Sequence, residues 1–442
     1  MAGHFEYAPL GSLCVEGEGV QTGPFGSQLH QEDYVTVGTP IITVEHLGEN
    51  RITHLNLPRV SDEDKARLSR YVLQEGDIVF SRVGSVDRRS LVRREENGWL
   101  FSGRCLRVRV DKKRICPRFL SWVFGLEGFK QHIRRIAVGA TMPSLNTKIL
   151  SDLPVYFPPL AEQEAIASIL DSLDNQIELN RRMNATLEAM ARALFQSWFV
   201  DFDPVRAKLD SRKPVGMDDA TAALFPDSFQ DSEFGPIPKG WKSTTLGDSC
   251  GEGGGNIQTG PFGTQLHASD YVTEGIPSIM PSDLRDNRID PSSIARIREE
   301  DAQRLNVYRV QTGDVVYSRR GDVERRSLIR QSENGWLCGT GCLRVRFGSK
   351  GLNPFFGASY LGTTESRAWV VRHAVGATMP NLNTSILGAL PLVVPPGELQ
   401  SRFAEIVSSW DERGTIALEQ SFTIMALRNM LLPMLLSGKL SV

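Results

Sequence analysis

The chain of 442 residues lacks any hydrophobic run long enough to cross a membrane. A spanning helix needs about 20 mostly apolar residues, and the most apolar stretch, 425–436, is interrupted by Arg428 and Asn429. The N-terminal segment contains Glu6 and has no apolar core, so it does not resemble a signal peptide. We therefore expect a soluble, cytoplasmic protein that does not bind a membrane.

Cysteine is scarce, and its pattern does not fit the common metal sites. The six cysteines include no C-x-x-C pair, and no histidine lies beside them at the spacing of a zinc ligand. Disulfides are rare in a reducing compartment. The sequence therefore favours structural thiols and predicts no metal site.

Recognisable catalytic motifs are lacking as well. No Ser, Cys or His lies in a known nucleophile motif. The glycine-rich stretches 17–19 and 251–255 do not follow a strand, as a cofactor-binding loop would. We therefore predict no catalytic residue and no cofactor in this chain.

Net charge is close to zero, with 50 Lys and Arg against 52 Asp and Glu. This balance conceals an uneven distribution of charge along the chain. Residues 71–135 contain 15 basic and 7 acidic residues, and residues 308–372 contain 11 basic and 5 acidic residues. Residues 158–203 contain 3 basic and 8 acidic residues. Two basic modules joined by an acidic spacer favour a polyanion bound at two places, although such runs also occur on ordinary solvated faces.

The chain contains an internal repeat of one long unit. The segment 21–30, Gln-Thr-Gly-Pro-Phe-Gly-Ser-Gln-Leu-His, returns at 258–267 with a single Ser-to-Thr change, an offset of 237 residues. No gap is needed from residue 21 to residue 157, and roughly half of the aligned positions are identical. So long a period indicates a duplicated domain rather than a solenoid repeat.

Each copy is predicted to be a mixed α/β domain, and we expect the fold class to be α+β. In the first copy, short β-rich runs at 76–80 and 105–110 alternate with Gly and Asn turns. Segments 61–68 and 117–136 have the pattern of helices.

A long helix is predicted after each copy. Apolar residues at alternating steps of four and three form a heptad seam, with Asn180 and Asn184 as polar members. The apolar seam residues that we select are Ile166, Leu170, Leu173, Ile177, Leu187 and Leu194 in the first helix and Phe403, Val407, Trp410, Ile424 and Leu431 in the second. Gly414 and Arg428 break the second seam. We expect the two helices to pack against each other.

Two repeated motifs are candidates for contacts with a polyanion. The first is the Gly-Pro-Phe loop, which either contacts phosphates and base edges or forms a plain hairpin loop. Its candidate residues are Thr22, Gly23, Phe25, Ser27 and Gln28, with Thr259, Gly260, Phe262, Thr264 and Gln265 in the second copy. The second is an arginine-rich turn after a strand, which either clamps phosphates or guanine or forms surface salt bridges. Its candidates are Arg82, Arg88 and Arg89, with Arg319, Arg325 and Arg326 in the second copy.

A third repeated motif, Gly-Ala-Thr-Met-Pro, precedes the last strand of each copy. Thr141 and its counterpart Thr378 are candidate contact residues. Their alternative role, which the sequence favours, is that of turn or cap residues.

With these motifs the chain resembles the specificity (S) subunit of type I restriction–modification systems. The resemblance covers almost the whole chain. It is carried by the Gly-Pro-Phe-Gly-Ser loop, by Gly-Asp-Ile-Val-Phe-Ser-Arg at 76–82, by Ala-Thr-Met-Pro-Ser-Leu-Asn at 140–146 and, most specifically, by Pro-Pro-Leu-Ala-Glu-Gln-Glu-Ala-Ile-Ala at 158–167. The connector segments 224–229 and 235–241 are similar to that family's inter-domain segment.

The resemblance implies two target-recognition domains separated by two helices that form an antiparallel coiled coil. Each domain would read one half of a bipartite, interrupted site in double-stranded DNA. The chain itself would be non-catalytic and would dock two modification (methyltransferase) subunits and the restriction (translocase/nuclease) subunits, which would use S-adenosylmethionine, ATP and Mg²⁺. The implied divisions are 1–157 (recognition domain 1), 158–203 (central helix), 204–240 (connector), 241–394 (recognition domain 2) and 395–442 (C-terminal helix).

One departure from the family pattern leads to a further expectation. Family members commonly carry two dissimilar recognition domains, whereas these two are close copies, so we expect a near-palindromic target. The copies differ most at 42–70 and 279–307 and across 120–134, where base-reading positions or neutral drift would both explain the variation. The alternatives are the specificity subunit of another multisubunit restriction or methylation system, an autonomous DNA-modifying enzyme, and a scaffold that does not bind DNA.

Overall fold

The computed structural model describes residues 5–24, 28–139, 141–376 and 378–440. The contacts divide the chain into two units. Unit 1 comprises Met1–Arg181 and Leu418–Val442, and unit 2 comprises Arg182–Ala417. Each unit therefore contains one copy of the repeated domain and a segment of both long helices.

The domain of unit 1 is built on two four-stranded sheets. Their strand orders are β2-β9-β6-β7, which is antiparallel throughout, and β3-β5-β4-β8, in which β4 and β8 are parallel. A separate pair, β1 with β10, joins the two ends of the domain. The strands are β1 (Glu6–Pro9), β2 (Val20–Thr22), β3 (Tyr34–Val35), β4 (Thr39–Ile42), β5 (Arg59–Val60), β6 (Ile78–Ser81), β7 (Arg89–Leu91), β8 (Leu100–Phe101), β9 (Cys105–Val108) and β10 (Pro154–Phe157).

Short helices complete this domain: α1 (Asp62–Arg67), α2 (Pro117–Val123), α3 (Glu127–Ile136) and α4 (Thr147–Ser151). The 3-10 turns are Leu10–Leu13, Gln31–Asp33, Val44–His46, Ser69–Tyr71 and Arg94–Glu96. The single helical segment predicted at 117–136 is two helices, with a break that contains Gly125. A Cβ atom on Gly125 would lie 2.1 Å from Nη2 of Arg89, so the break lies where a buried arginine passes the backbone.

Unit 2 repeats this topology. Its sheets have the orders β14-β21-β18-β19 and β15-β17-β16-β20, and β13 pairs with β22. The strands are β13 (Lys242–Thr245), β14 (Asn256–Thr259), β15 (Tyr271–Val272), β16 (Ile276–Ile279), β17 (Ala295–Ile297), β18 (Val315–Ser318), β19 (Arg326–Leu328), β20 (Leu337–Cys338), β21 (Cys342–Arg346) and β22 (Pro391–Val394). The helices are α8 (Leu246–Glu252), α9 (Glu299–Arg304), α10 (Pro354–Tyr360), α11 (Thr364–His373) and α12 (Thr384–Gly388), with 3-10 turns at Ala268–Asp270, Pro281–Asp283, Asn306–Tyr308 and Gln331–Glu333.

In each unit, one inner strand of the antiparallel four-stranded sheet, β6 or β18, separates two hydrophobic cores. In β6, Ile78 and Phe80 enter one cluster of buried side chains, and Val79 between them enters another. Val315, Tyr317 and the intervening Val316 of β18 do the same. Side chains of a strand alternate between its faces, so a run that is apolar at every position is the sequence pattern of a strand covered on both sides.

The two long helices are α5 (Leu160–Phe195), which ends in a π-helical turn at Gln196–Val200, and α13 (Gly397–Leu436). In unit 1, Ile166 and Leu170 of α5 share a cluster with Leu435 of α13. In unit 2, the rings of Phe195 and Phe403 lie 5.5 Å apart. In each unit an early segment of one helix thus packs on a late segment of the other, so the helices run antiparallel, as predicted. All eleven selected seam residues are buried or half-buried.

The two expected breaks in the second seam are instead part of it. Gly414 and Arg428 are both buried. A Cβ atom on Gly414 would lie 2.8 Å from Oδ1 of Asn184, so the glycine makes room for that amide. Arg428 donates from Nη1 to Asp174 at 3.0 Å. The seam accommodates these residues because polar side chains of the facing helix contact them.

A buried glutamine ties the start of each long helix to its domain. Gln163 accepts from the backbone N–H of Cys116 at 2.8 Å and donates to the carbonyl of Pro158 at 2.8 Å. Gln400 makes the same two bonds to Asn353 and Pro395, at 3.0 and 2.9 Å. The prolines end the preceding strand segment, and the glutamine satisfies backbone groups there.

The segment predicted to be an ordered connector is ordered and belongs to unit 2. It contains α6 (Asp203–Leu209), α7 (Asp219–Ala223) and the paired strands β11 (Phe229–Gln230) and β12 (Ile237–Pro238). Val205, Phe225 and Ile237 are buried in the core of unit 2. Within the described part of the chain, we find no helix that is both long and apolar enough to span a membrane, and no group of side chains that could hold a metal ion.

Candidate nucleic-acid interface

Backbone hydrogen bonds join two of the predicted motifs in each unit. In unit 1, the N–H of Leu145 donates to the carbonyl of Arg82 at 2.9 Å, and the N–H of Gly84 donates to Pro143 at 2.9 Å. In unit 2, Leu382 donates to Arg319 at 2.8 Å, and Gly321 donates to Pro380 at 3.0 Å. The arginine turn and the Thr-Met-Pro loop therefore form one continuous surface. We call this surface the arginine–threonine cluster; it comprises 82–88 and 141–145 in unit 1 and 319–325 and 378–382 in unit 2.

The tip of each cluster is exposed. Thr141 and Thr378 are exposed, and so are the neighbouring side chains of Met142 and Met379. Neither threonine is the N-cap of the following helix. That role belongs to Asn146 and Asn383, whose side chains accept from the backbone N–H groups of Ile149 and Ile386. Of the two structural roles that the sequence favours for these threonines, turn residue or cap residue, only the turn residue therefore remains.

The Gly-Pro-Phe loop adjoins the cluster in unit 2. The ring of Phe262 is 55% exposed, and the guanidinium of Arg319 lies 5.8 Å from its centroid. This contact is a cation–π interaction, and it places an aromatic face beside a cation at the surface. Thr264 in the same loop is exposed. In unit 1, the predicted contact residues Phe25 and Ser27 lie outside the described residues.

The glutamines of this loop hold it to the domain. Tyr71 donates from its hydroxyl to Oε1 of Gln28 at 2.8 Å, and Tyr308 donates to Oε1 of Gln265 at 3.0 Å. An arginine of the adjacent short helix also donates to each glutamine's backbone carbonyl. The amide oxygen is thus already engaged in both units. Thr22 and Thr259 end their strands half-buried.

The structure contradicts the predicted contact role of Gly23 and Gly260. Both are buried. A Cβ atom would lie 2.1 Å from the carbonyl oxygen of Ser102 in unit 1 and 2.1 Å from that of Gly339 in unit 2. These glycines permit a close approach of two backbone segments, and they have no surface to offer a ligand.

Arg89 and Arg326 are also wrongly assigned to the interface. They are 2% and 7% exposed, and they donate inward to the carbonyls of Ser121 and Ala358. Burial lowers the pKa of the Arg89 guanidinium to about 10, and burial also lowers that of Arg326. Both are core residues on a strand that is covered on both faces.

The remaining turn arginines differ between the units. Arg88 and Arg325 are exposed. Nε of Arg325 donates to Asp322 at 2.6 Å, whereas Ser85 occupies the aligned position beside Arg88. Arg82 is half-buried and donates from Nη1 to the carbonyl of Gly103 at 3.0 Å. The two clusters therefore present the same arginines with different local charge.

Burial leaves most of the basic excess at the surface. After removal of the buried residues Arg89, Arg107, Arg109, Asp77 and Glu96, the segment 71–135 retains 12 basic and 5 acidic residues. The segment 308–372 retains 9 basic and 4 acidic residues once its buried members are removed, which are Arg326, Arg344 and Asp314. A positive surface on each domain suits a polyanion.

Two exposed arginines beside the clusters were missed by the sequence prediction. The carbonyl of Arg104 accepts from the N–H of Arg82 at 2.8 Å, and Arg320 follows Arg319 directly. Their aligned counterparts are Gly341 and Val83. Neither arginine is repeated in the other copy, so the repeated motifs do not indicate them.

Comparisons with known proteins find similar specificity subunits. Residues 22–189 match the family model described as the type I restriction modification DNA specificity domain. The type I restriction enzyme HindI specificity subunit of Haemophilus influenzae is 32% identical over 162 residues, which are 36% of this chain and 35% of that protein. The putative MjaX specificity subunit of Methanocaldococcus jannaschii is 24% identical over 418 residues, which are 92% of this chain and 88% of that protein.

A solved structure shares the fold. The type I restriction–modification S subunit from M. genitalium aligns with a TM-score of 0.59 and 15% identity, over 98% of this chain and 96% of that one. The shared fold is a duplicated α+β domain that packs in each unit on antiparallel helix segments. Residues 22–189 are thus similar to the type I restriction modification DNA specificity domain, and the chain is similar over most of its length to type I restriction enzyme specificity subunits.

Proposed function

We propose that the chain is the sequence-specific DNA-recognition subunit of a type I restriction–modification complex. Each repeated domain reads one half of a bipartite, interrupted site in double-stranded DNA. The arginine–threonine cluster carries this proposal, because in each unit it joins exposed arginine, threonine and methionine side chains in one surface. Arginines bind phosphates or guanine edges, and apolar side chains contact base methyl groups.

The chain itself recognises and does not catalyse. Methyl transfer and ATP-driven cleavage belong to the modification and restriction subunits, which use S-adenosylmethionine, ATP and Mg²⁺. The proposal puts the protein in the cytoplasm, where the host DNA and these partners lie.

The long helices provide the surface for the modification subunits. In unit 1, Leu179 of α5 and Leu427 and Met430 of α13 are exposed, whereas the seam side chains beside them are buried or half-buried. Large apolar side chains on the outer face of a helix pair mark an interaction site. Two modification subunits, one for each half-site, match the duplication of the chain.

The segments in which the copies differ most hold the base-reading positions, and the shared arginines hold the phosphates. Exchanging residues 42–70 for 279–307 in the full chain tests this assignment, with the modification subunits present. The methylated half-site of the first domain is expected to change toward that of the second. An unchanged half-site in a folded, active complex would contradict it.

DNA binding by the purified complex is the direct test of the function. The complex of this chain with its modification subunits should select one interrupted sequence from a pool of random duplexes, with an affinity that falls steeply with salt. Binding to duplexes of every sequence with equal affinity would contradict a specificity role.

A further inference from the structure

A short loop between β8 and β9 links two features of the domain in unit 1. Within this loop, residues 102–104, the carbonyl of Arg104 accepts from the N–H of Arg82 at 2.8 Å. The N–H of Ser102 donates to the carbonyl of Ile42 at 2.9 Å. Arg82 belongs to the arginine–threonine cluster, and Ile42 begins the first segment in which the two copies differ most. The loop therefore lies between a shared arginine and a variable segment.

The equivalent loop of unit 2, residues 339–341, makes the same two bonds. The N–H of Arg319 donates to the carbonyl of Gly341 at 2.7 Å, and the N–H of Gly339 donates to that of Ile279 at 3.0 Å. Gly341 has a φ of +88°, a backbone conformation that strains any other residue. The two units therefore share these backbone links, but this position of unit 2 does not suit a side chain.

Each unit carries one exposed arginine beside its cluster that the other unit lacks. At the offset of 237 residues, Arg104 corresponds to Gly341, and Arg320 corresponds to Val83. Both arginines are exposed, and we call them the unshared arginines. Arg104 lies on the loop, whereas Arg320 lies in the arginine turn and forms a β-bridge with Asn381 of the Thr-Met-Pro loop. Each domain thus has its unshared arginine at a different place beside the shared one.

The unshared arginines have no partner for their guanidinium groups. Among the residues that the structure describes, neither side chain makes a hydrogen bond or an ion pair. Two other exposed arginines at the clusters are paired with carboxylates, Arg134 with Asp87 and Arg325 with Asp322, both at 2.6 Å. The donors of the unshared arginines therefore remain available to a ligand.

The duplication of the domain separates two kinds of DNA contact. The phosphate backbone is chemically the same at both half-sites, so side chains that bind it are expected to recur in both domains, as the shared arginines do. Base edges carry the sequence, so an exposed residue that only one domain has is suited to read them. An arginine donates two parallel hydrogen bonds to O6 and N7 of guanine in the major groove, whereas glycine and valine side chains have no donor.

We propose that Arg104 and Arg320 are specificity-determining residues, each of which reads a guanine at a different position of its half-site. The proposal rests on the proposed function, in which each repeated domain reads one half-site. Because Gly341 and Val83 offer no side-chain donor, neither domain selects the guanine that the other domain selects. The two half-sites are therefore similar but not identical.

Glutamine substitutions in the full chain, bound to its modification subunits, test the proposal. Selection from a pool of random duplexes gives the base preference at each position of both half-sites. Glutamine pairs with adenine in the way that arginine pairs with guanine. We expect Arg104→Gln to lower the preference for guanine at least about fivefold at one position of the half-site read by unit 1, with a shift toward adenine. Arg320→Gln should act in the same way at a different position of the other half-site.

A matched control and a gain of function complete the test. Arg88→Gln removes the same charge from a shared arginine and should weaken binding to all sequences without changing the base preference. Val83→Arg gives unit 1 the unshared arginine of unit 2, and its half-site should gain a preference for guanine at the position equivalent to the one that Arg320 reads. Thermal denaturation shows whether each variant keeps the stability of the native chain.

Three results would overturn the proposal. They are an equal loss of affinity for all sequences after either substitution of an unshared arginine, an unchanged base preference, and a loss at equivalent positions of the two half-sites. The first result is the behaviour of a phosphate contact. Failure of the proposed function would look different, because the native complex would then select no sequence from the pool.

Discussion

Asp174 of α5 accepts a hydrogen bond from Nη1 of Arg428 of α13 at 3.0 Å, and both side chains are buried. The same carboxylate accepts from Arg51 at 2.6 Å and from Arg93 at 3.3 Å. One aspartate in unit 1 therefore ties the repeated domain to both long helices.

Unit 2 has the equivalent aspartate–arginine interaction, but in the described part of the chain no residue of the second long helix takes the place of Arg428 in it. Asp411 accepts from Arg330 at 2.6 and 2.7 Å and from Arg288 at 3.3 Å. These three residues are the counterparts of Asp174, Arg93 and Arg51 at the offset of 237. Ala191 stands where Arg428 stands in unit 1.

Removing the Asp174 carboxylate should destabilise unit 1 strongly. Asp174→Ala leaves three guanidinium groups without their shared acceptor, and breaking a buried ion pair from one side costs about 3–5 kcal/mol. Urea denaturation followed by circular dichroism measures the loss. Glu164→Ala, an exposed change on the same helix, should stay within about 0.5 kcal/mol of the native chain. Equal stability of the two variants would show that the aspartate is not a structural anchor.

Two glycines of one loop should respond differently to the same substitution. Gly260→Ala places a Cβ atom 2.1 Å from the carbonyl oxygen of Gly339, whereas no heavy atom lies within 4 Å of a Cβ atom on Gly263. We expect the first variant to lose about 1–3 kcal/mol because the backbone must move, and the second to change by less than about 0.5 kcal/mol. Thermal and urea denaturation of both variants measure this difference. Similar losses would contradict the close backbone approach assigned to Gly260.

The difference in charge between the two arginine-rich turns should affect the affinity of the complex for DNA and its dependence on salt. Ser85→Asp gives Arg88 the acidic neighbour that Asp322 already provides for Arg325. We expect weaker binding of the complex to all sequences and a salt slope that is shallower by about one phosphate contact. Asp322→Ser should have the opposite effect.

The control for this pair adds the same charge away from the cluster. Ser172→Asp lies on an exposed position of α5 and should leave the salt slope unchanged. A loss confined to one DNA sequence after Ser85→Asp would instead identify Arg88 as a base-reading residue.

The buried thiols should resist alkylation in the native chain. Burial raises the pKa of Cys105, Cys250 and Cys338 to about 12 from an ordinary value of 9.0. A group with a raised pKa stays protonated until the pH approaches the higher value, so at pH 8 the thiolate fraction is about a thousandfold below that of a free thiol. The half-buried Cys14, whose pKa burial raises to about 11, should react before these three thiols. Mass spectrometry after iodoacetamide treatment identifies the modified residues, and rapid native-state labelling of Cys338 would contradict its burial.

Much of the fold follows from patterns that the chain repeats. The offset of 237 residues predicts two copies of one domain, and the alternating four-and-three spacing from Ile166 to Trp198 predicts the buried face of α5. Both patterns are regular in sequence, and the physical causes, alternate packing in strands and heptad packing in helices, act between near neighbours.

The burial of single arginines could not be predicted in this way. Arg88 and Arg89 are adjacent and look alike in sequence, yet one is exposed and the other lies in the core. The difference arises because Gly125, remote in sequence, leaves space for the Arg89 guanidinium. The polar members of the helix seam, such as Arg428, likewise depend on a partner on another helix. Only the folded chain shows which residues meet.

Methylome sequencing of a host that expresses this chain with its modification subunits tests the central claim most directly. We predict methylation at one bipartite, interrupted motif whose two half-sites are similar and lie on opposite strands, because the two repeated domains are close copies. Two unrelated half-sites, or methylation at an uninterrupted motif, would contradict it.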